Sequence, residues 1–521
     1  MFRTFFLIST LAQIVPAQIN VLTANYGNDR SNANLQETKL TPDSVAPGRF
    51  GLLAAFPVDG QVYAQPLYAS SITIPGLGTH NVIFLATQHN SVYAYDADAL
   101  QPPQLLWHVN LGPSVPSSLF PDYHDVKPEI GILGTGAIDP SRGVLYVVSM
   151  ELLGGSPQFH LHALDLGTGQ ESLNGPVLIH ASVPGSGAGS SLDGTLAFDP
   201  AWQLQRPGLL LANGAVYLSF GSHGDQWHWH GWILAYSESD LRQQLGVFSS
   251  TPNGLGGSIW QSGRGLAADD NGNMYAVTGN GDYDGTSNFS QSFLKLSGAA
   301  PKLVDWFTPF NWQTLTEQDQ DLSAGPVLLA GTHLVIGGDK AGQVYLINGD
   351  AMGELGAANA GTVQITQATG SEIFELAVWN RPSGAYLYVR EAAGPLKCFS
   401  MAGGTLNPIP VSVSDAMADT ANGGMALSAD GGQDASGILW ETTVNRADPA
   451  RPGTLHAFNA SDLSRELWNS DMSGGPDALG AFAKFARPTV ANGKVYVATF
   501  SNRVVVYGPT GVAPLAVNTG N

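Results

Sequence analysis

Between Pro66 and Gly112 short apolar runs alternate with polar turns, and the pattern predicts four β-strands: Pro66–Ile72, Val82–Thr87, Ser91–Asp96 and Leu105–Asn110. The apolar residues of Val82–Thr87 suit burial between layers. Ser91–Asp96, after the turn at Gln88-His89-Asn90, alternates apolar and polar positions as a strand with two unlike faces does. The same grammar returns along the chain, most plainly where a third strand passes to a fourth: "AYDADALQPPQLLW", "ALDLGTGQESL", "AYSESDLRQQLGVF" and "AFNASDLSRELW". Each opens on Ala, follows with an aromatic residue or Leu, and turns at Asp, Asn or Ser. Trp107, Trp306 and Trp468 fall at equivalent places, where a large ring is expected to pack between neighbouring units.

A four-stranded sheet with two apolar faces cannot stand alone in water, and radial repetition covers both faces. The expected fold is therefore all-β: a propeller of about eight four-stranded antiparallel blades, with seven as the alternative count. The repeating units are Pro66–Gly112, Glu129–Glu171, Arg206–Ser250, Gly257–Pro309, Asp321–Leu355, Ile373–Pro408, Asn422–Ser470 and Lys484–Gly508. The last supplies only three strands, while Phe50–Val58 is a strand with no hairpin partner nearby. The ring is thus expected to close by pairing the N-terminal strand with the final blade. Residues 18–49 read as an extended polar segment lying on the body, and 509–521 as a polar tail. Insertions at Pro113–Pro128, Ala181–Gln205 and Ile409–Ala421 are long enough to build a face or a lid.

Composition narrows the function. A net charge of −20 and the lack of a basic stripe argue against nucleic-acid partners, which need clustered Lys and Arg. The first 17 residues, with Arg3, a short apolar run and small residues at Val15 and Ala17, read as a secretory signal cleaved before Gln18. No later run is long enough for a membrane span. The expectation is a secreted or periplasmic monomer. Cys398 is the only cysteine and reads as a buried strand residue, which leaves stability to packing and ring closure.

The passages "VYAYDADAL…W" and "LHALDLGTG" resemble the quinoprotein alcohol dehydrogenase-like propellers, the family of pyrroloquinoline quinone (PQQ) enzymes and their non-enzymatic relatives. The resemblance covers Phe50–Gly508. The stretches "GSHGDQWHWHGWILAY", "IWQSGRGLAADDNGNMYAVTGNGDYD" and "KFARPTVANGKVYVAT" are similar to secreted bacterial proteins with PQQ-like repeats. The resemblance implies PQQ and Ca²⁺ as cofactors. Enzymes of the family hold the quinone under a ring made by two adjacent cysteines, whereas this chain has one cysteine in all.

Residues just ahead of the innermost strands should point to one mouth of the central channel, and those positions are Gln65, Glu129, Arg206, Arg264, Asp321 and Lys484. Such a ring could hold a carboxylated cofactor through Arg and Lys or a metal through Glu129 and Asp321, or it could be a set of mutual salt bridges. In "HGDQWHWHG", His223, His228 and His230 are candidate metal ligands, but Trp227, Trp229 and Trp232 equally suggest an aromatic platform for a sugar or a packed strand. Asp282 and Asp284 in "NGDYDG" have the start of a Ca²⁺-loop spacing without its later Glu, and read as an ordinary polar loop. "DDNGN", Asp269–Asn273, reads as a hairpin turn, and the His124–Asp125 pair is a candidate for acid–base chemistry. The expected function is an exported binding or scaffold module that recognises a polymer, sugar or protein through its channel mouth and insertion loops. The alternative is a PQQ- and calcium-dependent dehydrogenase of alcohols or sugars, with Glu129 and Asp321 at the metal and Arg206, Arg264 or Lys484 on the quinone.

Overall fold

The computed structural model describes residues 19–355, 362–381, 383–415, 423–431, 433–448 and 450–511, so the expected signal peptide and nearly all of the tail lie outside the described residues. Eight antiparallel sheets follow one another around a ring. From inner to outer edge, the first blade comprises Leu67–Ile74, Gly78–Ala86, Ser91–Leu100 and Pro103–Asn110, as the strand pattern predicted. The inner strands of the next six begin at Ala137, Leu210, Ala267, Leu322, Ile373 and Met425. In the eighth, Thr489–Ala491, Lys494–Ala498 and Arg503–Pro509 receive Phe50–Pro57 as their outer strand, in antiparallel register from Phe50↔Pro509 to Pro57↔Arg503. The ring thus closes with the N-terminal strand, as expected. The fifth blade extends past the predicted Leu355, because its outer strand is Thr362–Gln367.

The core lies between blades. Phe56, fully buried on the closing strand, stacks on Tyr95 of the first blade at 4.8 Å between ring centroids. Trp468 meets Phe50 and Tyr507 of the eighth blade, and Trp107 donates its indole N–H to the Leu166 carbonyl of the second at 2.8 Å. These two rings pack between blades as expected. Trp306 packs on Phe289 of its own blade, against the core cluster that joins the third and fourth blades. Cys398 is buried on Lys397–Ala402. Asp269 accepts from the Asn271 and Asn273 amides, making the predicted turn. Asp284 accepts from the amides of Thr286, Ser287 and Asn288, which spends the suspected Ca²⁺-loop carboxylate on capping its own loop.

The segment ahead of the closing strand differs from the expectation. It does not lie on the body but fills one end of the channel, with Val21, Ala24, Asn25, Arg30 and Asn32 fully buried. Its backbone meets the inner strands around the ring. Val21 pairs with Tyr68, the Leu22 carbonyl accepts from the Ile138 amide, and those of Asn28, Asp29 and Ser31 accept from Ala268, Leu328 and Val378. Ala33–Asn34 runs parallel to Met425–Ser428, and the Tyr26 hydroxyl donates to the Pro488 carbonyl. Arg30 reaches the third and fourth blades, donating to the Leu209 and Leu266 carbonyls at 3.0 and 2.7 Å. The plug therefore touches all eight blades. Its polar sequence suits the place, since inner-strand amides and carbonyls facing a channel need partners.

Candidate functional site

At the other end of the channel the mouth opens into a cavity of about 650 Å³. Its floor is aromatic. Trp260, Phe374 and Phe485, from just ahead of or at the start of the fourth, sixth and eighth inner strands, meet edge to face with centroids 5.4 to 6.0 Å apart. Tyr63 and Tyr123 stand at one side, Tyr123 and Asp125 coming from the Pro113–Pro128 insertion. One wall is acidic: Asp225, Asp319 and Asp321, with Asn280 donating to Asp319 at 2.7 Å and to Asp225 at 3.3 Å.

Cations line this cavity too, but each is already engaged. Lys340 spans Asp319 and Asp321 at 3.0 and 2.5 Å, and Lys484 pairs with Asp125 at 3.1 Å. Arg206 donates to the Leu133 and Lys484 carbonyls and lies over the Tyr63 ring. The turn that carries Trp260 needs glycine at Gly263, where φ is +79° and an added Cβ would stand 2.6 Å from the Arg206 guanidinium.

Beneath the floor is a second, fully enclosed layer. Glu375, next in sequence to Phe374, receives Arg264 at 3.3 Å, Asn32 of the plug at 3.1 Å, and Arg487 in a still shorter contact. Arg264 also donates to the Arg30 and Leu376 carbonyls, and Arg487 to that of Ser262. Burial pulls Arg206 and Arg264 down to about 10 and Arg30 to about 9, all still charged at neutral pH.

Arg206, Asp321 and Lys484 from the predicted ring thus meet at the mouth. Gln65 and Arg264 do not: Gln65 accepts from the Asn25 amide of the plug, and Arg264 belongs to the enclosed layer. Glu129 is bound to His89 and Ser114 rather than to the Asp321 cluster. The three histidines also part company. His223 stacks on Phe120 at 4.2 Å and is driven down to about 4 by burial, His230 bonds Thr251 and the Ala188 carbonyl, and His228 sits by Trp202. Among the described residues no three His, Cys, Asp or Glu side chains are grouped to hold a metal ion. Trp260, Phe374, Phe485, Lys340 and Asp319 are site residues that the mouth-position reading missed. For all but Lys340, which follows the second strand of the fifth blade, the one signal was an aromatic or charged residue near the start of an inner strand.

Burial raises Asp321 to about 6; the Lys340 charge and hydrogen bond oppose the rise and the Asp225 carboxylate adds to it. Its native pKa lies above the unfolded value, so the folded state holds the extra proton between about pH 4 and 6. Stability therefore falls as pH rises through that window, by at most about 3 kcal/mol. Comparison of urea unfolding at pH 4.5 and 7 should show this loss, and Asp321→Asn should remove it.

No family model matches the chain, and no curated protein matches it. Solved structures do. BamB from Moraxella catarrhalis covers 88% of this chain and 99% of its own at 13% identity and a TM-score of 0.49. A europium-containing methanol dehydrogenase covers 94% of this chain and 98% of its own at 11% identity and a TM-score of 0.56. The likeness to the methanol dehydrogenase supports the propeller fold that the repeats had suggested.

Proposed function

We propose that the protein is an exported binding propeller whose channel mouth takes a hydroxyl-rich organic ligand, a saccharide in the first instance. The observation that supports this reading is the pairing of an aromatic floor with a wall of carboxylates and an amide, in a cavity whose cations are all engaged internally. Sugar C–H faces pack on aromatic rings, and vicinal hydroxyls suit carboxylate and amide partners. A polyanion would find no open cation here. Export rests on the apolar leader, and a mature N-terminus at Gln18 is its check.

The dehydrogenase reading requires Ca²⁺ and PQQ to fit these residues. Oxygen donors are present at Asp225, Asp319, Asp321 and Asn280, but the Lys340 ammonium already lies between Asp319 and Asp321. Glu129 is engaged elsewhere and Cys398 is alone and buried. The residues as arranged do not fit the pair of cofactors, and no chemistry is derived through them.

The test is calorimetric titration of mono- and disaccharides into the mature protein. Binding is expected, weakened about tenfold in Phe374→Ala, the loss of one well-packed ring contact. No saccharide binding by folded protein, or stoichiometric PQQ binding that needs Ca²⁺, would overturn the proposal.

A further inference from the structure

The mouth cavity does not end at its acidic wall. On the far side of Asp225 and Asn280, which line both spaces, a second cavity of about 480 Å³ opens. Its sides are two indoles. Trp229, from the "HGDQWHWHG" stretch, lines it, and its ring Nε1 is buried with no hydrogen-bond partner. Trp312 lines it as well, rests against Tyr283 at 5.4 Å and begins the short helix Trp312–Glu317. That helix brings Gln313 and Glu317 to the lining, and Asp282 completes it.

The charges here differ from those of the mouth. Asp225, Asp282 and Glu317 line this space and no Lys, Arg or His does. Asp282 accepts one backbone N–H, from Leu255 at 2.9 Å, and Asp225 is met by Ser222 and Asn280. Three carboxylates beside two indoles favour a cation, which gains from both the acids and the ring faces. The Gln313 amide can accept from an ammonium and can both donate to and accept from hydroxyl groups, as a sugar unit presents.

Resting on the saccharide reading of the mouth, the geometry points to a second subsite at this cavity, for a further sugar unit that carries an amino group. The ligand is then a chain that crosses the Asp225–Asn280 wall, with one unit over the Trp260 floor and the next between Trp229 and Trp312. Sharing one wall makes the second contact intramolecular once the first is made, so affinity should climb with chain length.

The experiment titrates glucosamine, its β-1,4-linked trimer and the neutral cellotriose into the full mature chain at low and moderate salt. The amino trimer should bind at least about tenfold tighter than the monomer, with the gain shrinking as salt rises. Trp312→Ala should abolish that gain, bringing the amino trimer down to the affinity of a single unit. The double change Asp282→Asn with Glu317→Gln should reduce the gain for the amino trimer but not the affinity for cellotriose. Equal affinity for monomer and trimer would overturn the subsite while leaving the mouth as a saccharide pocket. Tight trimer binding that neither variant alters would likewise overturn it. Failure of every saccharide to bind would overturn the mouth reading itself, and lysine-rich peptide binding lost in Trp312→Ala would replace the sugar class with a peptide.

Discussion

Replacing Arg30 with methionine should lower the unfolding free energy by about 4 kcal/mol, although the side chain touches neither cavity. Its guanidinium donates to the carbonyls of Ala24, Leu209 and Leu266 and to the Thr23 hydroxyl, and it is fully buried. A methionine fills much of the volume and offers no donor, so the Ala24 and Leu266 carbonyls are left unpaired where water does not reach, while that of Leu209 keeps only the Thr23 hydroxyl. At roughly 1 to 3 kcal/mol for each, this loss outweighs the relief of repulsion from Arg264 and Arg487, the like charges that help burial lower its pKa. Arg30→Lys should recover only part, since an ammonium lacks the planar fork that reaches several carbonyls at once. Urea denaturation gives the difference. Limited proteolysis should show new cleavage within residues 20–36, and an unchanged urea midpoint would show that the plug is held by its backbone alone.

Glu375→Gln should cost a similar amount, about 3 to 5 kcal/mol, by a different route. Here one carboxylate answers Arg264 and Arg487 and also accepts from Asn32 of the plug. The amide keeps the shape but removes the charge, leaving two buried guanidinium groups without their ion-pair partner. Adding Arg487→Met should restore part of the loss, because it removes one of the stranded cations. A double variant no more stable than Glu375→Gln would contradict this account. Since Phe374 precedes Glu375, the variant should also loosen the floor of the mouth and weaken ligand binding there.

The blades were legible because each is local. Strands Leu67–Ile74 to Pro103–Asn110 pair with their sequence neighbours, so period and turn chemistry are enough to find them. The missing strand of the eighth blade was also legible, since Phe50–Val58 lacked a hairpin partner. The plug was not. "NYGNDRSN" has the composition of a surface loop, and nothing in it tells that its partners are the amides and carbonyls of inner strands up to several hundred residues away. The site was legible in part for a related reason. Arg206, Asp321 and Lys484 stand at the mouth, while Arg264, chosen by the same rule, lies one layer deeper, because the number of residues between mouth and inner strand differs from blade to blade. Nothing in the sequence sets the floor rings Phe374 and Phe485 apart from other apolar residues, and only the ring geometry brings them to a cavity.

The closing strand and the plug together set an order of events in time. Both come from residues 19–57, yet the strand that receives Phe50–Pro57 ends at Pro509, and the plug rests on the first inner strand and the last. Residues 50–57 are therefore made long before the strand they pair with, and their edge stays open until Arg503–Pro509 has followed. During that wait the pairing edge of Phe50–Pro57 has no proper partner, because the backbone groups that satisfy it belong to Arg503–Pro509. Whatever handles the nascent chain must keep these two ends apart from other molecules and then let them meet.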